Sequence, residues 1–309
     1  MYVIKGTVGR RRRGIRSADD MIIDTIVGII SFLALAVVLY PLLYILSSSF
    51  SEPADVALGN VILLPKGFTL EGYKYILQYQ DIWIGYRNTI FYTVVGTAMN
   101  LAVTLPAAYA LSRKDMLGNG FFTAMFAFTM FFNGGLIPTY LVYKQLNLIN
   151  KVWVMLLPGL ISMWNTVVCR TFFTNSIPFE LQEAARIDGC SDIRIFVRII
   201  LPLSTPIIAV MAMFYAVGHW NAYFTAMIYL SDKNLYPLQL FLRSILLLDT
   251  TAELLGADAE TQREVLRMAQ LKESMKYGII VVSAAPMLAM YPFFQKFFVK
   301  GVMVGAIKG

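Results

Sequence analysis

Residues 183–206 read EAARIDGCSDIRIFVRIILPLSTP and form a polar loop between long apolar segments of the chain. Their pattern predicts a helix of about two turns that Gly189 ends, because glycine takes the left-handed conformation at little cost. Ala184 and Ala185 are small enough to let another protein surface approach closely. Pro202 falls near the start of the next apolar run, where a missing N–H matters least. A short docking helix between apolar segments indicates a membrane protein that a partner moves.

Six apolar stretches without Asp, Glu, Lys or Arg make up most of the remaining chain. Each is about 18 residues or longer, enough to cross a hydrocarbon core of about 30 Å as a helix. The chain is 58% hydrophobic and 15% charged, against about 25% charged for a soluble domain. Buried helices of a soluble protein are shorter and amphipathic, so we expect an all-α integral membrane protein with six transmembrane helices. The six stretches are 25–51, 88–112, 116–143, 152–169, 199–231 and 277–295.

The basic residues predict the orientation of the chain. If the N-terminus is cytoplasmic, the inner segments hold 15 of the 26 Lys and Arg residues but only 8 of the 19 acidic residues. Cytoplasmic loops carry an excess of Lys and Arg, so both termini and the 183–206 loop are predicted to be cytoplasmic. The cluster Arg10–Arg13 is interpreted as a topology anchor on anionic lipid rather than a nucleic-acid patch.

The sequence offers no means of using ATP or an ion gradient directly. It has no glycine-rich phosphate loop ending in Gly-Lys-Ser/Thr. The six stretches lack Asp, Glu, Lys and Arg, so His219, the one histidine of the chain, is the only side chain there that could couple transport to an ion gradient. Ion-driven carriers place ionisable groups inside the membrane, which disfavours a stand-alone carrier. No clustered His, Asp, Ser or Cys residues suggest an enzyme, and Cys169 and Cys190 are predicted to be inert. The energy for any transport must then come from a partner.

The polar loop resembles the EAA motif of binding-protein-dependent ABC importer permeases. The matching residues are Glu183, Ala184, Ala185, Asp188, Gly189, Phe196, Ile199, Leu201, Pro202 and Pro206. The resemblance extends from about residue 22 to the end of the chain. It implies the type I importer permease fold and a location in the bacterial plasma membrane.

Three further segments resemble the carbohydrate-importing branch of this family, including the smaller permease of maltose transporters. They are Pro65–Tyr73, Gly218–Asn221 and Gly305–Gly309. The runs Leu105–Arg113 and Phe132–Tyr140 resemble the subgroup that takes up fragments of complex polysaccharides. The resemblance therefore implies oligosaccharide import, with import of a non-sugar solute as the alternative.

The same resemblance implies a complex of several subunits, each with its own role. The partners are a second permease, two ATPase subunits, an extracellular solute-binding protein and the lipid bilayer, with no nucleic acid. ATP and magnesium are bound by the ATPases, so this chain needs no cofactor and no metal of its own. The implied coupling residues are Glu183, Ala184, Ala185, Asp188, Gly189 and Pro202. The implied ATPase-contacting tail residues are Gly305, Lys308 and Gly309.

On the predicted spans, the chain divides into one membrane domain and its extensions. The parts are a basic cytoplasmic tail at 1–21, the first transmembrane helix at 22–50, an extracellular segment at 51–85, a permease core at 86–300 with a coupling loop at 170–200 and an extracellular segment at 232–275, and a cytoplasmic tail at 301–309. Gly134, Gly135 and Pro138 predict a kink in the third helix. An amphipathic helix is expected over Ala259–Lys276.

The fifth apolar stretch holds a candidate substrate path of Trp220, Asn221, Tyr223 and His219. An aromatic ring can stack on the apolar face of a sugar while an amide bonds its hydroxyls. Trp220 and Tyr223 are three residues apart, which predicts that they share a helical face. The competing interpretation is that both rings belong to the interfacial aromatic belt, that Asn221 bonds a neighbouring helix and that His219 is a buried hydrogen-bonding residue.

Overall fold

The computed structural model describes residues 18–246 and 275–295, and all regular elements within these ranges are helices. In chain order they are α1 (Ala18–Ser49), α2 (Pro53–Ala57), α3 (Glu71–Gln78), α4 (Gln80–Ser112), α5 (Asn119–Phe131), α6 (Leu136–Gln145), α7 (Trp153–Leu156), α8 (Met163–Ser176), α9 (Phe179–Ile187), α10 (Asp192–Ile195), a π turn (Phe196–Ile200), α11 (Leu201–Leu203), α12 (Thr205–Trp220), α13 (Phe224–Tyr229), a 3-10 turn (Lys233–Leu235), α14 (Leu238–Leu246) and α15 (Met275–Gln295). The predicted all-α class is confirmed. The tail residues Gly305, Lys308 and Gly309 lie outside the described residues, as does most of the helix expected over 259–276.

Three helices are each long and apolar enough to cross a membrane: Met21–Ser49 within α1, then α4 and α15. They coincide with the first, second and sixth predicted spans. α4 starts at Gln80, so the boundary placed between residues 85 and 86 falls inside a helix. The short helix α3 directly precedes α4.

Two other predicted spans are bent pairs of helices rather than single helices. α5 and α6 meet at 114°, where Gly135 has a φ of +83°; this confirms the break expected at Gly134 and Gly135. The segment Asp192–Leu203 meets α12 at 83°, at Ser204. If each pair counts as one span, the described residues hold up to five, so the count of six stays a prediction.

The prediction of a continuous fourth span over 152–169 is wrong. α7 ends at Leu156, and the backbone is non-helical until α8 begins at Met163. Gly159 takes a φ of +73°, and the preceding Pro158 has no N–H to continue the helical hydrogen bonds. The chain must therefore satisfy the polar backbone of this break with groups from elsewhere in the protein.

α4 lies at the centre of the described structure and packs most extensively against α12 and α8. All three apolar core clusters include residues of α4. The cluster at the end near α9 contains Leu105 and Ala108, a second contains Tyr92, and a third contains Ile82. By contrast, the large apolar side chains of α1 from Met21 to Leu43 are exposed, as expected for a helix that meets lipid or another subunit.

One face of α4 carries a polar stripe at four-residue spacing. The stripe is Asn88, Tyr92, Gly96, Asn100 and Thr104. Asn88 Nδ2 donates to a backbone carbonyl at 2.7 Å, and Tyr92 Oη donates to another at 2.9 Å. Both carbonyls belong to the 3-10 turn after α13, so the first half of α4 holds this turn in place.

The second half of the stripe holds the break between α7 and α8. Asn100 Nδ2 donates to the carbonyl oxygens of Gly159 and Leu160, at 2.9 and 2.8 Å. Because both amide hydrogens are used, Asn100 Oδ1 is the acceptor in its 2.7 Å bond with His219 Nε2. Asn100 is 2% exposed, so it gives these carbonyls partners inside the protein. The stripe therefore supplies the partners that the broken helix lacks.

We predict that Gly96→Ala will destabilise the folded chain. A Cβ at Gly96 would overlap the imidazole ring of His219, which would have to leave Asn100. Overpacking of this kind costs about 1–3 kcal/mol, so Tm of the purified protein should fall by roughly 3–10 °C. Gly218→Ala is the matched control, since a Cβ there meets nothing within 4 Å. Equal Tm values for the two variants would contradict the prediction.

Candidate functional site

The loop motif forms a short helix, α9, whose C-terminal end is capped. The N–H of Gly189 donates to the carbonyl of Arg186 and the N–H of Cys190 donates to the carbonyl of Ala185, both at 2.9 Å. Gly189 has a φ of +77°. This is the Schellman arrangement, in which a left-handed glycine satisfies the last carbonyls of a helix. The predicted two-turn helix and its glycine stop are confirmed.

α9 buries one face and exposes the other. Ala185 is 6% exposed and packs with Cys190 into the core cluster around α4. Glu183, Ala184 and Asp188 are exposed. The expectation that both alanines admit another surface is therefore wrong for Ala185, whose small side chain instead lets α9 approach its own core. Ala184 is the alanine that remains open to a partner.

Apolar side chains surround the exposed face of α9. Ile187 is 86% exposed and Ile193 is 78% exposed, and Leu181 is also exposed. Exposed apolar groups clustered beside charged ones are typical of an interaction site. This end of the molecule, defined by α9 and the turn after α4 at 113–118, is called the loop end below.

A network of four charged side chains holds the loop end together. Arg113 Nη2 lies 2.6 Å from Asp115 Oδ2, and Arg113 Nη1 lies 3.0 Å from Asp192 Oδ1. Arg186 Nη2 reaches the same two carboxylates, at 2.8 and 3.2 Å. The hydrogen bonds from Arg113 hold the pKa of Asp115 below its usual value, and those to Asp115 raise the pKa of Arg113. Both groups stay charged over the physiological range.

A buried hydrogen bond extends this network into α9. Tyr109 Oη donates to Gln182 Oε1 at 2.9 Å, and Arg113 Nη1 donates to the same tyrosine oxygen at 3.2 Å. Gln182 is buried on the inner face of α9. None of Tyr109, Arg113 and Gln182 was predicted to be a functional residue. Tyr109 and Arg113 belong to the run Leu105–Arg113, and Arg113 is also the first charge after the charge-free part of α4.

The sequence predicts Pro202 near the start of the apolar run 199–231, where a missing N–H matters least. Pro202 lies in α11, directly after the π turn at Phe196–Ile200, and Pro206 occupies the first turn of α12. A π turn re-routes backbone hydrogen bonds locally and so accommodates the missing N–H of a proline. The bend at Ser204 then separates the loop-end helices from α12.

A cavity of about 520 Å³ lies between α12 and α15. Its lining includes Trp220, Asn221, Gln239, Ser283, Met287 and Tyr291. Trp220 is 4% exposed, and its Nε1 donates to the carbonyl of Ser283 at 3.0 Å. The volume is in the range of ligand sites, about 300–1,000 Å³. The structure thus places two of the four predicted path residues on one cavity.

The other two predicted path residues lie elsewhere. His219 lines a second cavity of about 220 Å³ together with Asn100. α12 ends at Trp220, so the prediction that Trp220 and Tyr223 share a helical face is wrong. Tyr223 is exposed, with the guanidinium carbon of Arg243 5.8 Å from its ring centroid, a distance that permits a cation–π contact. The four predicted path residues are therefore divided among three environments.

The described residues thus combine long apolar helices, bent pairs of apolar helices and a short exposed helix on a connecting loop. Residues 82–302 match the family model described as binding-protein-dependent transport system inner membrane component. The chain belongs to this family. It is a multi-pass membrane permease of an ABC importer and not an enzyme.

Two relatives from Bacillus subtilis (strain 168) match most of the chain. Protein LplC is 40% identical over 274 residues, 89% of this chain and 90% of that protein. The polygalacturonan/rhamnogalacturonan transport system permease protein YtcP is 38% identical over 284 residues, 92% and 97% of the two chains. Both alignments extend over nearly the whole permease.

A solved structure confirms the fold. A chain of a bacterial ABC transporter involved in the import of the acidic polysaccharide alginate superposes with a TM-score of 0.82. It is 33% identical, and the match covers 92% of this chain and 99% of that one. The type I importer permease fold expected from the EAA motif is therefore shown.

We predict that Gly189→Ala will loosen α9. A Cβ-bearing residue in the left-handed region costs about 1–2 kcal/mol, so hydrogen exchange of the amides at 188–190 should accelerate about 5- to 30-fold. Gly159→Ala is the matched control, because Gly159 has a similar φ of +73° and equally open surroundings outside α9. If Gly159→Ala accelerated hydrogen exchange in α9 as much as Gly189→Ala does, the prediction would be contradicted.

Proposed function

We propose that this permease imports oligosaccharides, in particular fragments of polysaccharides. The observation that carries the proposal is the whole-length similarity to a polygalacturonan/rhamnogalacturonan permease and to a subunit of an alginate importer. The uncharged cavity lined by Trp220 and Asn221 supports it, since stacking rings and amides are the groups that bind sugars. The alternative, a permease for a non-sugar solute, has no comparable support among these relatives.

The proposed assembly contains a second permease, two ATPase subunits and an extracellular solute-binding protein. The loop end would face the ATPases on the cytoplasmic side, with Glu183, Ala184 and Asp188 on the docking face of α9. Their exposure, and the exposed Ile187 beside them, support this placement. ATP-driven closure of the ATPases would displace α9, and α9 would move the spans attached to it. The tail residues Gly305, Lys308 and Gly309 are proposed to contact the ATPases as well.

The proposed sugar path runs along the cavity between α12 and α15. The indole N–H of Trp220 is already bonded to Ser283, so the ring would contribute its face rather than its N–H. Asn221 lines the same cavity, and its Nδ2 already donates to the carbonyl of Val217 at 2.9 Å, so it would contribute its Oδ1 as an acceptor. A path site of this kind binds weakly, which suits transport because the cargo has to be released. His219 and Tyr223 would contact a sugar only beyond this cavity.

Uptake by the reconstituted complex tests the proposed substrate class. Vesicles that hold this chain with its co-purifying permease, ATPases and binding protein would be supplied with ATP inside and with labelled oligosaccharides outside. We expect accumulation of galacturonan or alginate fragments that depends on ATP and the binding protein. Accumulation of an amino acid or a metal chelate in place of any sugar would overturn the proposal.

We predict that Ala184→Leu will weaken binding of the ATPase subunits. Ala184 is exposed, so a larger side chain leaves the fold intact but prevents close approach at the docking face. Co-purification of the ATPases should fall at least about fivefold, which corresponds to about 1 kcal/mol. Ala57→Leu, the same change at an exposed position of α2 outside the loop end, is the control and should bind normally. Normal ATPase recovery with Ala184→Leu would argue against docking through this face.

We predict that Trp220→Ala will reduce sugar uptake per assembled complex, and that the defect will vary with oligosaccharide length. Trp220→Phe keeps a stacking ring but loses the bond to Ser283, so it should retain more uptake. Trp164→Ala is the control, because Trp164 is 63% exposed on α8 and is typical of an interfacial residue. If the defect disappears when uptake is normalised to the amount of complex, Trp220 only stabilises the fold.

A further inference from the structure

We propose that Arg113 is a positioning residue for transport: it fixes α9 to the end of α4, so that a displacement of α9 moves α4 with it. This inference rests on the proposed coupling role of α9. It assigns a function to a residue outside the loop motif, and it names the part of the membrane domain that receives the motion.

The geometry of Arg113 is that of a junction between segments. Its Nε and Nη2 donate to the two oxygens of Asp115 at 2.9 and 2.6 Å, and its Nη1 donates to Asp192 at 3.0 Å and to Tyr109 at 3.2 Å. Arg186 of α9 bonds both carboxylates from the other side. The four charges form a closed ring that joins the end of α4, the next turn, α9 and α10.

α9 has few other connections to the body of the protein. Its buried side chains are Gln182 and Ala185. Ala185 contributes one methyl group, and Gln182 bonds Tyr109 of α4. Tyr109 and Arg113 are four residues apart and so lie on the same side of α4. Every polar bond described here from α9 to the rest of the protein therefore leads to the last turn of α4 or to a carboxylate that Arg113 holds.

The type of side chain matters at this position. An arginine presents five N–H donors in a rigid fork, which allows bonds to two carboxylates and a hydroxyl at once. A lysine keeps the charge but has a flexible stem and a single donor atom. The Arg113 side chain is 10% exposed, so it is shielded from a docked partner. Arg113 would therefore act on the ATPases only through α9.

The network is also matched in charge, so that no member is buried without a partner. Arg113 and Arg186 face Asp115 and Asp192, and Asp188 and Lys114 are exposed to solvent nearby. Loss of Arg113 leaves Arg186 with both carboxylates and leaves Tyr109 with Gln182. The loop end would stay folded in this variant, but α9 would be joined to α4 only by the Tyr109–Gln182 bond and the packing of Ala185.

The test uses the complete complex, purified through this chain and reconstituted in vesicles. The variants are Arg113→Gln and Arg113→Lys, and the control is Lys114→Gln in the adjacent exposed position. We measure ATP hydrolysis with and without sugar-loaded binding protein, sugar uptake, and the ATP hydrolysed per sugar transported. For both Arg113 variants we expect assembly and basal hydrolysis within about twofold of wild type. The ATP used per sugar should rise at least fivefold, while Lys114→Gln should match wild type.

A merely structural role of Arg113 would give a different result. It would lower Tm and the amount of complex but leave the ATP used per sugar unchanged, and that outcome would overturn the inference. If Arg113→Gln fails to assemble, Asp192→Asn removes one partner of Arg113 and should show a smaller rise of the same kind. An unchanged ratio in Asp192→Asn and Arg113→Lys would also overturn it.

Measurements on the wild-type complex distinguish a failure of this inference from a failure of the proposed function on which it rests. If hydrolysis by the wild type does not respond to sugar-loaded binding protein, the proposed sugar-import function fails first. If the wild type responds and the Arg113 variants respond equally well, only the role of Arg113 is refuted.

Discussion

The polar stripe of α4 is the constraint on which the rest of the described structure depends. A membrane offers no water to unpaired backbone groups, so non-helical backbone at membrane depth needs partners within the protein. Asn100 meets this need for Gly159 and Leu160 and is itself held by His219. Without these bonds, the carbonyls of Gly159 and Leu160 would lose their partners within the protein. α4 therefore determines where its neighbours can bend.

The two ends of α4 are held by different chemistry. Toward its N-terminus, Asn88 and Tyr92 bond backbone carbonyls, which suits uncharged surroundings. At the loop end, charged side chains replace them. An isolated exposed ion pair contributes about 0–1 kcal/mol, but Arg113 is 10% exposed and bonds three different groups at once. Removing one of several shared partners weakens the connection to α9 rather than the fold, so coupling and stability are separable in this permease.

The sequence predicted well those features that depend on neighbouring residues. The end of α9 followed from Gly189, and the break between α5 and α6 followed from Gly134 and Gly135. Sequence reasoning failed at Trp220, where α12 ends and the expected aromatic face is divided. It also missed Pro158 and Gly159, a proline–glycine pair inside the stretch taken as the fourth span. The uniform hydrophobicity of that stretch concealed the break, because hydropathy measures transfer to lipid and not helical continuity.

Runs of apolar residues and the EAA motif are local patterns, so they are enough to indicate an all-helical membrane protein and a member of an importer permease family. Which side chains act together depends on the tertiary structure. Arg113 and Asp192 are 79 residues apart, and Asn100 and His219 are 119 residues apart. Ala184 and Ala185 are adjacent and of one type, yet packing against α4 buries one and exposes the other. Burial and pairing depend on distant segments, so no local pattern specifies them.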